Sequence, residues 1–460
     1  MKCPAFLGSA LVVTAALAAQ NPGTSSSPTQ NPVAGSGEAG APPAGYDPLA
    51  GMDPNGRIPK PQFPSDLVHP ERWRYTPPGR IKPGNVFDRF LVSSFLSPVL
   101  FREKDIGFGG GFALTDVDFR NQHYREFANI VMTYSEEGQQ AYRVFWARWL
   151  HHRELPNGGI VREERGRVFG SAGYEKTLTR RFFGFGSRTP QTAETSFTEE
   201  VSYVGLGIRD ALGEPGDPWL YQLGVRGEHH GLSGGRVLGV PSTEQVFPDL
   251  VRAGDGDDFL WLAGSFAHDT RDSIHQPYSG HRFGVSVDGA LHGGGSTGAV
   301  LGADLRQYFP VPPLLHGGAE GREENPPTDV IALGAFVSDT IGELPYYHLP
   351  SLGGSTALRA FVPNRFTDRS AAYAAAEYRF GIVPRGITFT DTIRIERIGI
   401  ALFGELGTVA PGIEDLADGR WHHSYGFGLR LAFSREASFR IDIGYGDEGS
   451  NFTLAFGNAF

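Results

Sequence analysis

Cysteine, long apolar runs and basic clusters are scarce in this sequence, and each scarcity excludes a class of protein. The single cysteine, Cys3, precedes the first apolar stretch, so no disulfide can form in the chain beyond it. No run of about 18 consecutive apolar residues follows Leu17, which excludes a transmembrane helix after that point. A formal net charge of −10 without a basic run argues against a nucleic-acid-binding protein.

The amino-terminal residues, MKCPAFLGSALVVTAALAAQ, have the composition of an export signal. A basic Lys2 precedes an apolar core, and Ala16-Leu17-Ala18 is a small-x-small cleavage site. We predict a secretory signal peptide over residues 1–18; the alternative, a membrane anchor, needs a longer apolar run. Residues 19–85 are rich in proline, glycine and serine, so we predict a disordered tether there, followed by one folded domain over residues 86–460.

Apolar and polar residues alternate with period two throughout the second part of the chain, and strong helical periodicity is missing. Phe427 and Leu429, for example, alternate with Gly428 and Arg430. Such strands have one apolar face and one small or charged face. A soluble β-sandwich would show the same alternation. The charged residues and glycines on the polar face favour a barrel with a water-filled lumen. About sixteen such segments predict an all-β fold, a transmembrane antiparallel β-barrel of about 16 strands.

The last predicted strand ends on an aromatic residue. Its sequence, NFTLAFGNAF, places Phe452, Leu454, Phe456 and Phe460 on one predicted face. An amphipathic strand with this ending resembles the signal that the outer-membrane assembly machinery reads, although an ordinary sheet strand is the alternative. We therefore predict a protein of the bacterial outer membrane, with outer-membrane lipids and that machinery as partners.

Six motifs, in order, resemble the BamA/TamA surface-antigen superfamily of outer-membrane barrels, and the resemblance covers residues 95–460. The motifs are FFGFGSRT, HDTRDSIHQPYSG, GGSTALRAF, AAEYRFGIV, LFGELGTV and FTLAFGNAF. Two of them carry predicted site residues: the strand motif Asp269, Arg271 and Asp272, and the loop motif Gly353, Gly354, Leu358 and Phe361. The resemblance implies that this loop is the family's long sixth extracellular loop, between strands eleven and twelve.

The sequence departs from the family pattern in three places. Ala360 stands where the loop motif has glycine, and Glu405 stands where a later strand has aspartate. Family members that assemble or secrete other proteins carry periplasmic POTRA modules, in which strands and helices alternate. Residues 19–85 have neither the length nor the pattern of such a module, so we predict a member without POTRA domains and a periplasmic tether.

The loop sequence LPYYHLPSLGGSTALRAFVPNRF is apolar although proline and glycine break it, so we predict that it folds into the lumen. Alternation places Glu377 and Glu405 on the inward faces of adjacent strands. We predict that Arg359 bridges both carboxylates, a contact that the family resemblance also implies. The alternative is three separate charges solvated in the lumen.

The sequence predicts neither a cofactor nor a metal site nor catalytic residues. We interpret Asp269, Arg271 and Asp272 as an inward charge pair that stiffens a strand, and adjacent histidines on a strand point to opposite faces. The resemblance implies a role in outer-membrane biogenesis or in protein translocation and insertion, with client proteins or a periplasmic partner. The alternative is a passive small-solute channel or a structural barrel, and we expect no enzymatic activity.

Overall fold

The computed structural model describes residues 52–53, 56–81, 94–103, 105–250, 256–292, 297–318, 323–388, 394–433 and 438–460. The predicted signal peptide and most of the predicted tether lie outside these ranges. No helix in the described part of the chain is long and apolar enough to cross a membrane.

Sixteen antiparallel strands form one sheet, in which each strand pairs with the next one along the chain. The first eight are β1 Ser94–Glu103, β2 Gly107–Asp116, β3 Glu126–Ser135, β4 Gln140–Trp149, β5 Arg167–Phe182, β6 Thr195–Ala211, β7 Trp219–Gly234 and β8 Asp257–Asp269. The others are β9 Gly280–His292, β10 Thr297–Val311, β11 Asp329–Gly342, β12 Ser370–Val383, β13 Arg397–Ala410, β14 His422–Ala432, β15 Ser438–Gly446 and β16 Gly449–Phe456. The predicted all-β fold and strand number are confirmed.

Short elements lie before β1 and in the connections between the strands. In one small sheet Ile160–Glu163 pairs with both Trp73–Thr76 and His152–Glu154. Two others pair Ser351–Leu352 with Phe366–Thr367 and Ile387–Thr388 with Arg394–Ile395. The helical turns are Pro70–Arg72, Pro78–Arg80, Phe119–Asn121, Gln191–Ala193, Thr243–Val246, Tyr346–His348 and Ile413–Asp415.

The two faces of the sheet have opposite character. Large apolar side chains point outward and are exposed, as Leu206 in β6 (60%) and Leu223 in β7 (57%) show. Charged side chains on the other face are buried, among them Glu377 in β12 and Glu405 in β13. This arrangement inverts that of a soluble sheet protein and suits an outer face in contact with lipid.

One connection contacts strands that lie far apart in the strand order, which shows that the sheet is curled. Residues 343–369, called loop six below, join β11 to β12. The Tyr347 hydroxyl of this loop donates to Asp257 at the start of β8, while its Arg359 carbonyl accepts from Asn451 of β16 at 3.1 Å. Loop six therefore lies across the inner face of the sheet.

The curl leaves β1 and β16 as the two edges of the sheet. Within the described ranges, no ladder of hydrogen bonds joins these two strands. The sheet therefore has a seam between its first and last strands.

Residues 56–81, part of the predicted tether, form a strap at the end of the sheet opposite loop six. Trp73–Thr76 pairs with Ile160–Glu163, and Trp73 is only 7% exposed. Arg72 donates to the Arg271 carbonyl at 2.7 Å, between β8 and β9. For residues 56–81 the structure differs from the predicted disorder of residues 19–85, because Arg72 and Arg74 bond to connections of the sheet and Trp73 is buried.

We expect Arg74→Ala to loosen the strap. The Arg74 Nε atom donates to Glu164 Oε1 at 2.6 Å, and Glu164 is only 3% exposed. Removing one partner of such a buried pair costs about 3–5 kcal/mol. Proteinase K should therefore cut the strap of the variant faster than that of the wild type in detergent.

Arg153→Ala is the matched control, because Arg153 makes an exposed pair with Asp66 of the same strap. Water and salt screen an exposed pair, so this variant should be digested like the wild type. Equal digestion of both variants would show that Arg74 does not hold the strap.

Candidate functional site

The centre of loop six is a tight backbone turn that requires glycine. Gly353 and Gly354 have φ angles of +113° and +101°, which side-chain-bearing residues rarely adopt. A Cβ atom at Gly353 would lie 2.2 Å from the Val362 carbonyl oxygen. The Gly354 amide donates to the Phe361 carbonyl at 2.9 Å, which closes the turn. The two motif glycines thus allow the loop to fold back on itself.

The apolar side chains of loop six form a core between the loop and the inner face of the sheet. Leu358 (0% exposed) and Phe361 (2%) pack there with Tyr373 of β12 and Val409 of β13. Burial of such side chains stabilises the docked loop by about 1.5–3 kcal/mol each. The apolar composition of the loop is therefore explained by its position inside the curl.

Arg359 lies completely buried at the tip of this loop and contacts both predicted carboxylates. Its NH1 group donates to Glu377 Oε1 at 2.6 Å, and its Nε atom donates to Glu405 Oε1 at 2.9 Å. Its backbone amide donates to Glu405 Oε2 at 2.6 Å. Arg359 therefore binds two adjacent strands through both its side chain and its backbone.

A third carboxylate, which the sequence analysis missed, completes the site. Asp442 of β15 accepts from Arg359 NH1 at 3.1 Å and also pairs with Arg430 and Arg440. The centroid of the Phe403 ring lies 3.5 Å from the Arg359 guanidinium carbon, in cation–π geometry. Desolvation lowers the pKa of Arg359, but the three carboxylates outweigh it and raise the pKa above its usual range, so the guanidinium stays charged.

The site also depends on small residues where the loop approaches β15. A Cβ atom at Gly444 would lie 2.7 Å from the Ala360 amide nitrogen and 2.8 Å from the Arg359 carbonyl carbon. The Ala360 amide donates to the Ser424 hydroxyl of β14 at 3.0 Å. Gly444 thus allows the loop backbone to approach β15 closely. Ala360 packs above it and is 6% exposed.

The strand motif forms part of the opposite end of the sheet. Asp269 is the last residue of β8, and its carboxylate accepts two bonds from the Arg271 guanidinium at 3.0 and 2.7 Å. Asp272 instead accepts from the backbone amide of Tyr278 at 2.9 Å. The pair therefore stiffens the connection after β8, next to the strap, and Asp272 shapes its turn.

The carboxyl-terminal aromatic residues do not all share one face. Phe452 and Phe456 are exposed on the outer face of β16, and Leu454 between them is 8% exposed. The strand ends at Phe456, and Gly457 has a φ angle of +74°. The chain then turns, and Phe460 packs on the inner face beside Gly334 and the Arg379 guanidinium. The predicted position of Phe460 is therefore wrong, because the turn at Gly457 breaks the alternation.

A curled sixteen-stranded sheet with an apolar outer face and an inward loop defines the class of outer-membrane β-barrel proteins. Within that class, the chain belongs to the Omp85 superfamily, since the Omp85 superfamily domain matches residues 128–460. The family predicted from the six motifs is thus confirmed.

The solved structures with distant similarity to this chain include BamA and two CdiB proteins. BamA from Haemophilus ducreyi lacking POTRA domains 1–3 is 13% identical with a TM-score of 0.49, over 80% of this chain and 70% of that one. CdiB from Acinetobacter baumannii is 12% identical (TM-score 0.44; 79% of this chain, 58% of that one). CdiB from Escherichia coli is 10% identical (TM-score 0.48; 78% and 60%).

One curated protein matches a shorter stretch. Ribonuclease Y from Syntrophobacter fumaroxidans is 28% identical over 147 residues, which is 31% of this chain and 27% of that protein. The chain thus spans about a quarter of the length of this relative.

Proposed function

We propose that this protein acts in outer-membrane biogenesis, by inserting or translocating other proteins. The observation that carries the proposal is the seam between β1 and β16. An edge strand presents unpaired backbone donors and acceptors, which are costly in lipid and can be satisfied by a strand of another chain. A client strand that pairs with this edge would receive its hydrogen bonds before it meets the hydrocarbon.

The composition of the first hairpin supports a seam that opens easily. Pro98 in β1 has no amide hydrogen to donate to a partner. Gly109, Gly110 and Gly111 follow one another in β2 and contribute no side chains of their own to the pairing with β1. β1, the edge strand that would exchange partners, therefore has weak local structure.

The alternative is a passive small-solute channel or a purely structural barrel. Loop six is docked on the inner face, and the strap crosses the other end of the sheet. Both segments oppose a steady flow of small solutes. The plugged interior therefore favours a role in which loop six or the seam moves, and a permanently open channel fits less well.

Reconstitution separates these functions. We expect liposomes that contain the purified protein to accelerate the folding of a small urea-unfolded outer-membrane barrel. Folding is measured by the gel mobility of unheated samples, in which the folded barrel migrates apart from the unfolded chain. Empty liposomes are the control for spontaneous insertion. Ion conductance in planar bilayers without such acceleration would support the channel, and the absence of both effects would support a structural barrel.

A further inference from the structure

Near its start, loop six brings a histidine close to polar residues of β7. Glu228 and His230 of β7 and His348 of loop six each place one ligand atom within 4.8 Å of the other two. Residues two apart on a strand share a face, so Glu228 and His230 both point inward. His229, between them, points outward and pairs with Asp258 at 2.8 Å.

Hydrogen bonds orient the His230 ring for ligation. Its Nδ1 atom lies 3.2 Å from Glu199 Oε1, and its Nε2 atom lies 3.4 Å from Glu228 Oε2. A carboxylate on one ring nitrogen holds the proton there and leaves the other nitrogen as a lone-pair donor, as is typical of histidine ligands of metals. Glu199 thus directs Nε2 of His230 toward Glu228.

Aromatic rings fix the position of His348. The ring centroids of Phe259, Trp261 and Tyr347 lie 4.8, 4.9 and 4.7 Å from that of His348. The His230 ring is also 4.8 Å away, at an angle of 81°. The two imidazoles are thus held next to each other, with an apolar wall on one side.

We propose that Glu228, His230 and His348 bind a divalent transition-metal ion of the zinc class. Two imidazoles and one carboxylate are a donor set that suits zinc, with a fourth position left for water. Small rotations of the side chains would bring the three ligand atoms to bonding distance, which is about 2.0–2.2 Å for nitrogen and oxygen on zinc. In the absence of metal, a protonated His230 between Glu199 and Glu228 would satisfy the same groups.

The ion would attach the first part of loop six to β7. Arg359 attaches the later part of the loop to β12, β13 and β15. The two contacts lie on different parts of the curled sheet. Metal binding would therefore stabilise the docked loop independently of the guanidinium.

Titration of the metal-stripped full-length protein in detergent with zinc chloride tests the proposal. We expect one zinc ion per chain by calorimetry and a higher unfolding temperature in its presence. His348→Ala should weaken binding at least tenfold and abolish the rise in unfolding temperature. Glu199→Gln, which removes the charge behind His230, should weaken binding by about 10–100-fold.

His229→Ala is the matched control, because this histidine is adjacent in the strand and faces outward. It should bind zinc like the wild type, and magnesium or calcium should not compete, since imidazoles disfavour them. His268 and His281 form another close histidine pair, with ring nitrogens 3.0 Å apart at the other end of the sheet. Binding that is lost in His281→Ala but kept in His348→Ala, or the absence of any zinc binding, would overturn the proposal.

Discussion

Replacing Arg359 with alanine should destabilise the folded protein by about 3–5 kcal/mol, the cost of leaving buried partner charges uncompensated. Glu377, Glu405 and Asp442 all accept from this guanidinium and all have side chains that are 0% exposed. Arg430 and Arg440 still neutralise part of the charge, but neither replaces the bonds to Glu405. The expected result is a lower unfolding temperature in detergent, measured by circular dichroism and by gel mobility of unheated samples.

Two variants calibrate this result. Arg359→Lys keeps the charge but not the planar fork, so its unfolding temperature should lie between those of the wild type and the alanine variant. Arg236→Ala removes an exposed arginine 3.9 Å from Glu137 and should change stability by about 1 kcal/mol or less. An unchanged transition in Arg359→Ala would show that loop six docks without its guanidinium.

Gly444→Val should prevent loop six from docking, with a smaller loss of stability than that of Arg359→Ala. The added side chain would meet the backbone of Arg359 and Ala360 at less than 3 Å, where only a shift of the loop relieves the contact. Overpacking of this kind costs about 1–3 kcal/mol. Because the loop covers the inner face, we also expect higher ion conductance in planar bilayers than for the wild type.

Gly404→Val is the matched control, since an added Cβ at this position has nothing within 4 Å. The double variant that combines Gly444→Val with Arg359→Ala gives a further test. Both changes disrupt the same docked state, so their destabilising effects should not add. A fully additive loss of stability, or wild-type conductance in Gly444→Val, would contradict this explanation.

Local alternation was sufficient to predict that Glu377 and Glu405 point inward. Glu377 and Glu405 each occupy the small-and-charged face of an alternating strand, and the structure places both carboxylates within hydrogen-bond distance of Arg359. The strand number followed in the same way, since each strand repeats the pattern. The position of loop six between β11 and β12 came from the family resemblance and agrees with the structure.

The contacts between distant segments were not predictable in this way. Asp442 was visible as a polar residue of its strand, but nothing in the sequence showed that its face approaches Arg359. The same holds for His348, which meets His230 from another part of the chain. The pairing of Trp73–Thr76 was hidden for a different reason, because the composition of residues 19–85 as a whole resembles disorder.

The sequence by itself determined the number of strands and the two faces of each, because period-two alternation is a local property of the chain. Only the tertiary structure decided which inward side chains meet, since that depends on how strongly the sheet curls. The curl brings β12, β13 and β15 around one guanidinium and brings β7 to the start of loop six. Spacing along the chain carries no information about distances across the inside of a curled sheet.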